Sequence, residues 1–232
     1  MIKFENTEVM GWEAAIRGMR NPLESWEKSD SEYLRTEDGH IISSRFEIGP
    51  NDLNLMMRLQ SAGTDHRKFL RMIVVYVDIT APFYWWKEFS TYKVGTVANS
   101  CSTMHCIHKH EFTLDDFSHE HLIDYCDGTE GNIDNHIFTA EDLMQFVIDT
   151  LNHYRLLYLD TKDKRYWWQM IQLLPSSYNQ KRTVMLNYEV LANIYHSRLH
   201  HKLDEWSDKF CFWIESLPYS GLITGGADSE QV

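Results

Sequence analysis

The stretch from Phe69 to Thr80, FLRMIVVYVDIT, limits the fold more than any other part of this chain. Ile73, Val75, Val77 and Ile79 share one parity, and Met72, Val74 and Tyr76 share the other. An extended segment that is apolar on both faces has to be covered on both, which predicts a central strand. Ala81-Pro82 follows directly, and Pro82 suits the first turn of a helix running through the WWKEF segment. Phe83, Tyr84, Trp85, Trp86 and Phe89 cover all sides of that helix, as in a buried core helix. The alternative is that one or two of these rings meet a flat ligand.

The remaining pattern mixes helices with separated strands, which gives an α+β class with a central sheet and flanking helices. Helices are expected over Glu8–Met19, Asn51–Gly63, Ala140–Leu159, Arg165–Leu174 and Met185–Leu217, and a strand over His40–Ile48. Asn51 or Asp52 can cap the second helix. Thr139 with Asp142 forms a candidate capping box for the third. Ser25–Gly39 and Gly95–Phe117 read as loops. At 232 residues the chain suits one domain, residues 1–220, followed by a flexible tail over 221–232.

No window is long and apolar enough for a membrane helix, and the first residues lack the layout of a secretory signal. The net charge of −12 argues against a nucleic-acid surface, although a few local cations could still hold an anionic mononucleotide. Four cysteines without a disulfide framework suit a reduced, cytoplasmic protein.

Three groups of residues could carry chemistry. Asn187 and Arg198 are eleven residues apart, so on one helix they share a face about 16 Å apart. A buried arginine there needs an anionic partner, either an acidic side chain or a ligand. Ser100, Cys101 and Ser102 form a turn able to take a phosphate. Cys101, Cys106, His105, His108 and His110, with His119 and His121 nearby, are potential zinc ligands, but their spacing fits no common zinc motif, so no metal is assigned. No GxGxxG or GxxxxGK loop is present.

Two blocks of the chain resemble the flavin-dependent thymidylate synthases. In that family an apolar strand and Ala-Pro precede an Arg-His-Arg signature, with a serine seven residues on. Here Thr91-Tyr92-Lys93 occupies the Arg-His-Arg place and Cys101 the serine place. Leu174-Pro175, Asn187, Asn193 and Arg198 keep the family's order and spacing, and His66 falls where the family has a histidine before the strand. Glu88 replaces a glutamine, Thr103 a phosphate-binding arginine, and Lys202-Leu203-Asp204 a His-Ala-Gln.

The resemblance implies a homotetramer with shared active sites, using FAD, NADPH and methylene-tetrahydrofolate on a pyrimidine deoxynucleotide. It implies that His66, Lys93, Asn99, Asn187 and Asn193 face FAD. Glu88, Ser100, Cys101 and Ser102 would line the nucleotide pocket, and Arg198 would hold and polarise the pyrimidine. Cys101 would position substrate or attack pyrimidine C6. The product would be dTMP from dUMP, or a hydroxymethyl or cytosine variant. Loss of the signature arginines also suits a non-catalytic relative that binds a nucleotide or a partner, and the Cys/His loop a small zinc protein.

Overall fold

The structure, a computed structural model, describes residues 2–35, 41–128, 130–133 and 136–226, with backbone alone for 34, 35 and 41–45. In chain order the elements are β1 (Lys3–Met10), α1 (Trp12–Arg20), β2 (Glu32–Arg35), β3 (Ile41–Glu47) and α2 (Pro50–Ser61). Next come β4 (Val74–Pro82), α3 (Phe83–Phe89), β5 (Val97–Ser100), α4 (Thr103–Cys106), β6 (Gly131–Ile133) and β7 (His136–Phe138). The chain then forms α5 (Ala140–Thr161), α6 (Lys164–Leu173), β8 (Asn179–Asn187) and α7 (Tyr188–Arg198). A π-helical stretch (Glu205–Phe210) leads into α8 (Cys211–Glu215), and α9 (Gly221–Thr224) follows.

A four-stranded sheet has the order β1-β4-β8-β5, so β4 is an inner strand as its sequence requires. β4 and β8 are antiparallel. Tyr188 N–H reaches Ile73 O at one end, and Phe83 N–H reaches Tyr178 O at the other. Ile73, Val75, Val77 and Ile79 are fully buried. The second face is less covered, with Tyr76 39% exposed.

The chain divides into two compact units. The first comprises 1–3, 79–91 and 99–183. Its core joins Ile107, Phe112, Phe117, Ile148, Leu151 and Met170. The capping box at α5 forms as expected, with Thr139 and Asp142 each bonding the other's backbone N–H. Such a cap contributes about 1 kcal/mol. Asn152 on α5 holds Phe112 by a two-way amide bond, 2.8 Å each way, and so fixes a segment read as loop. That segment also contains β5 and α4, whose short lengths leave no periodic signal. Trp85, Trp86 and Phe89 are buried against one another, so α3 is a core helix.

The second unit comprises 4–78, 92–98 and 184–232. Arg20 and Asp52 form a buried ion pair at 2.6 Å. Burial opposes the Asp52 charge, but bonds from Ser31, Ser29 and Arg20 outweigh it and hold its carboxyl below the ordinary aspartate value. Asp52 therefore does not cap α2. The cap residue is Gly49, and the carboxylate of Asp30 takes the N–H groups of Asn51 and Asp52.

Several boundaries differ from the sequence expectation. The helix expected over Glu8–Met19 is a strand to Met10 and a helix from Trp12, joined at Gly11 (φ 95°). A Cβ at Gly11 would lie 2.1 Å from Met72 O. The loop Ser25–Gly39 contains β2, and residues 36–40 lie outside the described residues. Lys68–Met72 is a 3-10 turn preceding β4. The long last helix is instead β8, α7 and α8 in succession, because Asn187 ends the strand and caps the helix. The expected tail begins with the helical turn α9, where Leu222 and Ile223 are buried. Residues 227–232 lie outside the described residues.

Candidate functional site

The first unit holds a cavity of about 520 Å³. Ser100, Cys101, Ser102 and Thr103 line it at the end of β5, with Gln180 and Arg182 from β8 and an apolar side of Phe83, Met104, Ile171 and Leu174. Cys101 N–H bonds Lys181 O at 3.0 Å, which ties the turn to β8. Gln180 Nε2 donates to Cys101 O at 2.8 Å and to Thr103 Oγ1 at 3.1 Å. The Cys101 thiol is exposed. The sequence-predicted Ser100, Cys101 and Ser102 are thus brought together. Glu88, half-buried on α3, and Asn99, exposed on β5, are not among the lining residues.

Gln180 and Arg182 escaped the sequence reading. They share one parity with Val184 and Leu186 along β8, and this was the available signal.

The second unit gathers another set around α7. Asn187 caps it, its Oδ1 accepting Val190 N–H at 3.0 Å. Gly95 (φ 77°) lies over that amide, where an added Cβ would meet Asn187 Nδ2 at 3.0 Å. At the other end, Arg198 Nε donates to Tyr92 Oη at 2.9 Å. Its guanidinium lies 4.6 Å from the Trp206 ring centre and 5.6 Å from that of Tyr92. Asn193 is exposed, with Oδ1 3.4 Å from Arg67 Nη2. Arg67 also pairs with Glu189 at 2.9 Å. His66 and Lys93 are exposed.

Asn187 and Arg198 therefore stand at the two ends of one helix, with Leu191, Ile194 and Tyr195 buried between them. Arg67, Tyr92 and Trp206 are partners that spacing alone does not reveal. Arg67 lies next to His66, and that adjacency was its only mark.

No protein-family model matches this sequence, and no curated protein does so either. Solved structures do match. A flavin-dependent thymidylate synthase from Helicobacter pylori, complexed with FAD and dUMP, is similar over 96% of this chain and 97% of its own. The TM-score is 0.63 at 18% identity. A second structure of the Helicobacter pylori enzyme with FAD and dUMP gives 0.63 at 17% identity, covering 96% of each chain. The chain has the flavin-dependent thymidylate synthase fold.

Within that fold the two blocks of sequence resemblance fall on particular elements. Ala81-Pro82 closes β4, Cys101 follows β5, and Asn187 and Arg198 bound α7. Among the described residues no three His, Cys, Asp or Glu side chains come together as a metal-ligand set. No described helix is long and apolar enough to cross a membrane.

Proposed function

We propose that this chain is a flavin- and folate-dependent enzyme that transfers a one-carbon group to C5 of a pyrimidine deoxynucleotide. The fold, matched along nearly the whole chain to enzymes seen with FAD and dUMP, is the observation that carries this reading. The donor set of the second unit suits such a cofactor. Gly95 leaves the Asn187 amide open where any side chain would cover it, and Lys93, two residues before Gly95, is an exposed cation.

In this reading His66, Lys93, Asn99, Asn187 and Asn193 would hold FAD, which would supply hydride chemistry with NADPH as the reductant. Glu88, Ser100, Cys101 and Ser102 bind the nucleotide. Arg198 orients the pyrimidine and polarises its carbonyl. Methylene-tetrahydrofolate is the carbon donor, and dUMP the first substrate to test, with a cytosine nucleotide or a hydroxymethyl product as variants. Residues 1–220 act as one catalytic domain of a cytoplasmic homotetramer.

The test is FAD titration, followed by thermal stability and the visible spectrum. At 100 times its dissociation constant FAD stabilises by about 2.7 kcal/mol. That corresponds to a rise of about 5–10 °C for a chain of this size. Absence of both a thermal shift and a spectral change at excess FAD overturns the proposal.

A second reading rests on one observation. Of the signature positions Thr91, Tyr92 and Lys93 only Lys93 is a cation, and Thr103 stands at the place of the family's phosphate-binding arginine, as expected of a relative that binds nucleotide without turning it over. Binding of FAD and dUMP without folate-dependent NADPH oxidation selects that reading.

A further inference from the structure

We propose that Arg182 is the anion anchor of the cavity in the first unit, and that this cavity takes the phosphate of a phosphomonoester. The proposal rests on the nucleotide reading above, which it deepens by assigning the substrate's 5′-phosphate to a residue outside the predicted site.

Arg182 is half-buried on β8. Its guanidinium stacks 4.2 Å from the ring centre of Trp86, which is buried, and its Nε donates to Gln180 Oε1 at 3.0 Å. Trp86 Nε1 in turn holds the Gln180 carbonyl at 2.8 Å. Among the described residues no carboxylate pairs with Arg182. A guanidinium withdrawn from water without an anion is costly, and the usual remedy is a charged partner. Here stacking and the Gln180 bond fix its orientation. The two terminal nitrogens stay available as the two-pronged donor that suits phosphate.

The hydroxyls around it are set as donors. Ser102 Oγ accepts His105 N–H at 3.3 Å, and Thr103 Oγ1 accepts Gln180 Nε2 at 3.1 Å. Each accepts one bond, and among the described residues neither donates one, so its proton is left for a ligand oxygen. Ser100 adds a third hydroxyl to the lining. Three hydroxyls and a guanidinium match a tetrahedral dianion better than a planar carboxylate, because they supply donors to several oxygens at once.

The size of the cavity carries the assignment further. At about 520 Å³ it is too large for phosphate alone and lies within the range of small-molecule sites, about 300–1,000 Å³. Phe83, Met104, Ile171 and Leu174 give the remainder an apolar wall. The expected ligand therefore joins a phosphate to a less polar body, as a mononucleotide does.

The test compares dUMP and deoxyuridine on FAD-loaded protein by equilibrium dialysis, for wild type, Arg182→Gln, Arg182→Lys and Gln180→Glu. Gln180→Glu keeps the arginine and gives it the carboxylate it lacks, so it reports on the charge even where Arg182→Gln is poorly folded. Wild type should prefer dUMP by about 10- to 100-fold, the scale of a charge-assisted contact. Arg182→Gln and Gln180→Glu should bring the preference to within about threefold, and Arg182→Lys should keep part of it. A preference for dUMP that survives both variants overturns the assignment of Arg182 while leaving the nucleotide reading intact. If neither ligand binds wild type, the nucleotide reading fails, and inorganic phosphate decides the rest. A saturable thermal shift with phosphate that Arg182→Gln abolishes retains an anion site, and its absence overturns the proposal.

Discussion

Arg198→Ala separates a structural role from a functional one, because the structure sets the size of the first. The guanidinium bonds the Tyr92 hydroxyl at 2.9 Å and lies over two rings, Trp206 at 4.6 Å and Tyr92 at 5.6 Å. Each ring contact is worth about 0.5–1 kcal/mol at a half-exposed site, and the hydrogen bond about 1 kcal/mol. The sum is about 2–3 kcal/mol, an upper bound because the contacts overlap, so the variant should lose up to about 4–12 °C in melting temperature. Tyr92→Phe should lose only the hydrogen-bond share. If Arg198 also holds the pyrimidine, dUMP affinity of the folded variant should fall by a further 10- to 100-fold, about 1.5–3 kcal/mol. Arg198→Lys should restore stability better than affinity, since an ammonium can sit over Trp206 but cannot offer a planar fork. Calorimetry and dUMP titration on one preparation, well below the melting point, measure both quantities. An unchanged dUMP affinity in a variant that melts lower would refute the substrate role and leave Arg198 as a packing residue. An unchanged melting temperature would refute the structural estimate.

Arg20→Ala breaks a buried ion pair and should cost about 3–5 kcal/mol by denaturant titration. Asp52 is held below its ordinary pKa, so its contribution is present above about pH 3.9 and is lost as pH falls through the lower folded value. The acid limb of the stability curve should be shallower in Arg20→Ala than in wild type. Gly95→Ala forces a left-handed backbone (φ 77°) on a residue with a Cβ, at a cost of about 1–2 kcal/mol, and crowds Asn187. FAD should therefore bind it more weakly by spectral titration, and equal affinity would remove Asn187 from the cofactor site. Cys101→Ser should keep FAD binding and measurable turnover, because the backbone rather than the thiol ties this turn to β8. Complete loss of turnover with FAD binding intact would assign the thiol a covalent role.

Local chemistry was legible in the sequence, and non-local pairing was not. The start of α5 could be read because a capping box is written within four residues, Thr139 to Asp142. β4 could be read because its alternation is apolar and unbroken. By contrast, β1 and β5 are mostly exposed, so they carry no buried periodicity, and sheet pairing alone defines them. α2 shows the same limit in its cap. Asp30, some twenty residues away in sequence, supplies the capping oxygens that the sequence assigns to Asn51 or Asp52.

The candidate site follows the same division. Ser100, Cys101 and Ser102 are neighbours in sequence, so their grouping was visible, and Asn187 and Arg198 share a helix. Arg182 was hidden because the residues between Pro175 and the helix expected from Met185 were assigned to no element, and only the end of β8 overlaps that helix. Read with period 3.6, a lone arginine in QKRTVMLN looks like a solvated residue. Read with period 2, Arg182 falls on the same side as buried Val184 and Leu186, where a charge without a carboxylate needs another anion. Asn187 marks where the period changes, since asparagine favours helix caps over helix interiors. Recognising that cap is enough to turn the preceding residues into a strand and move Arg182 from the surface to the wall of a cavity.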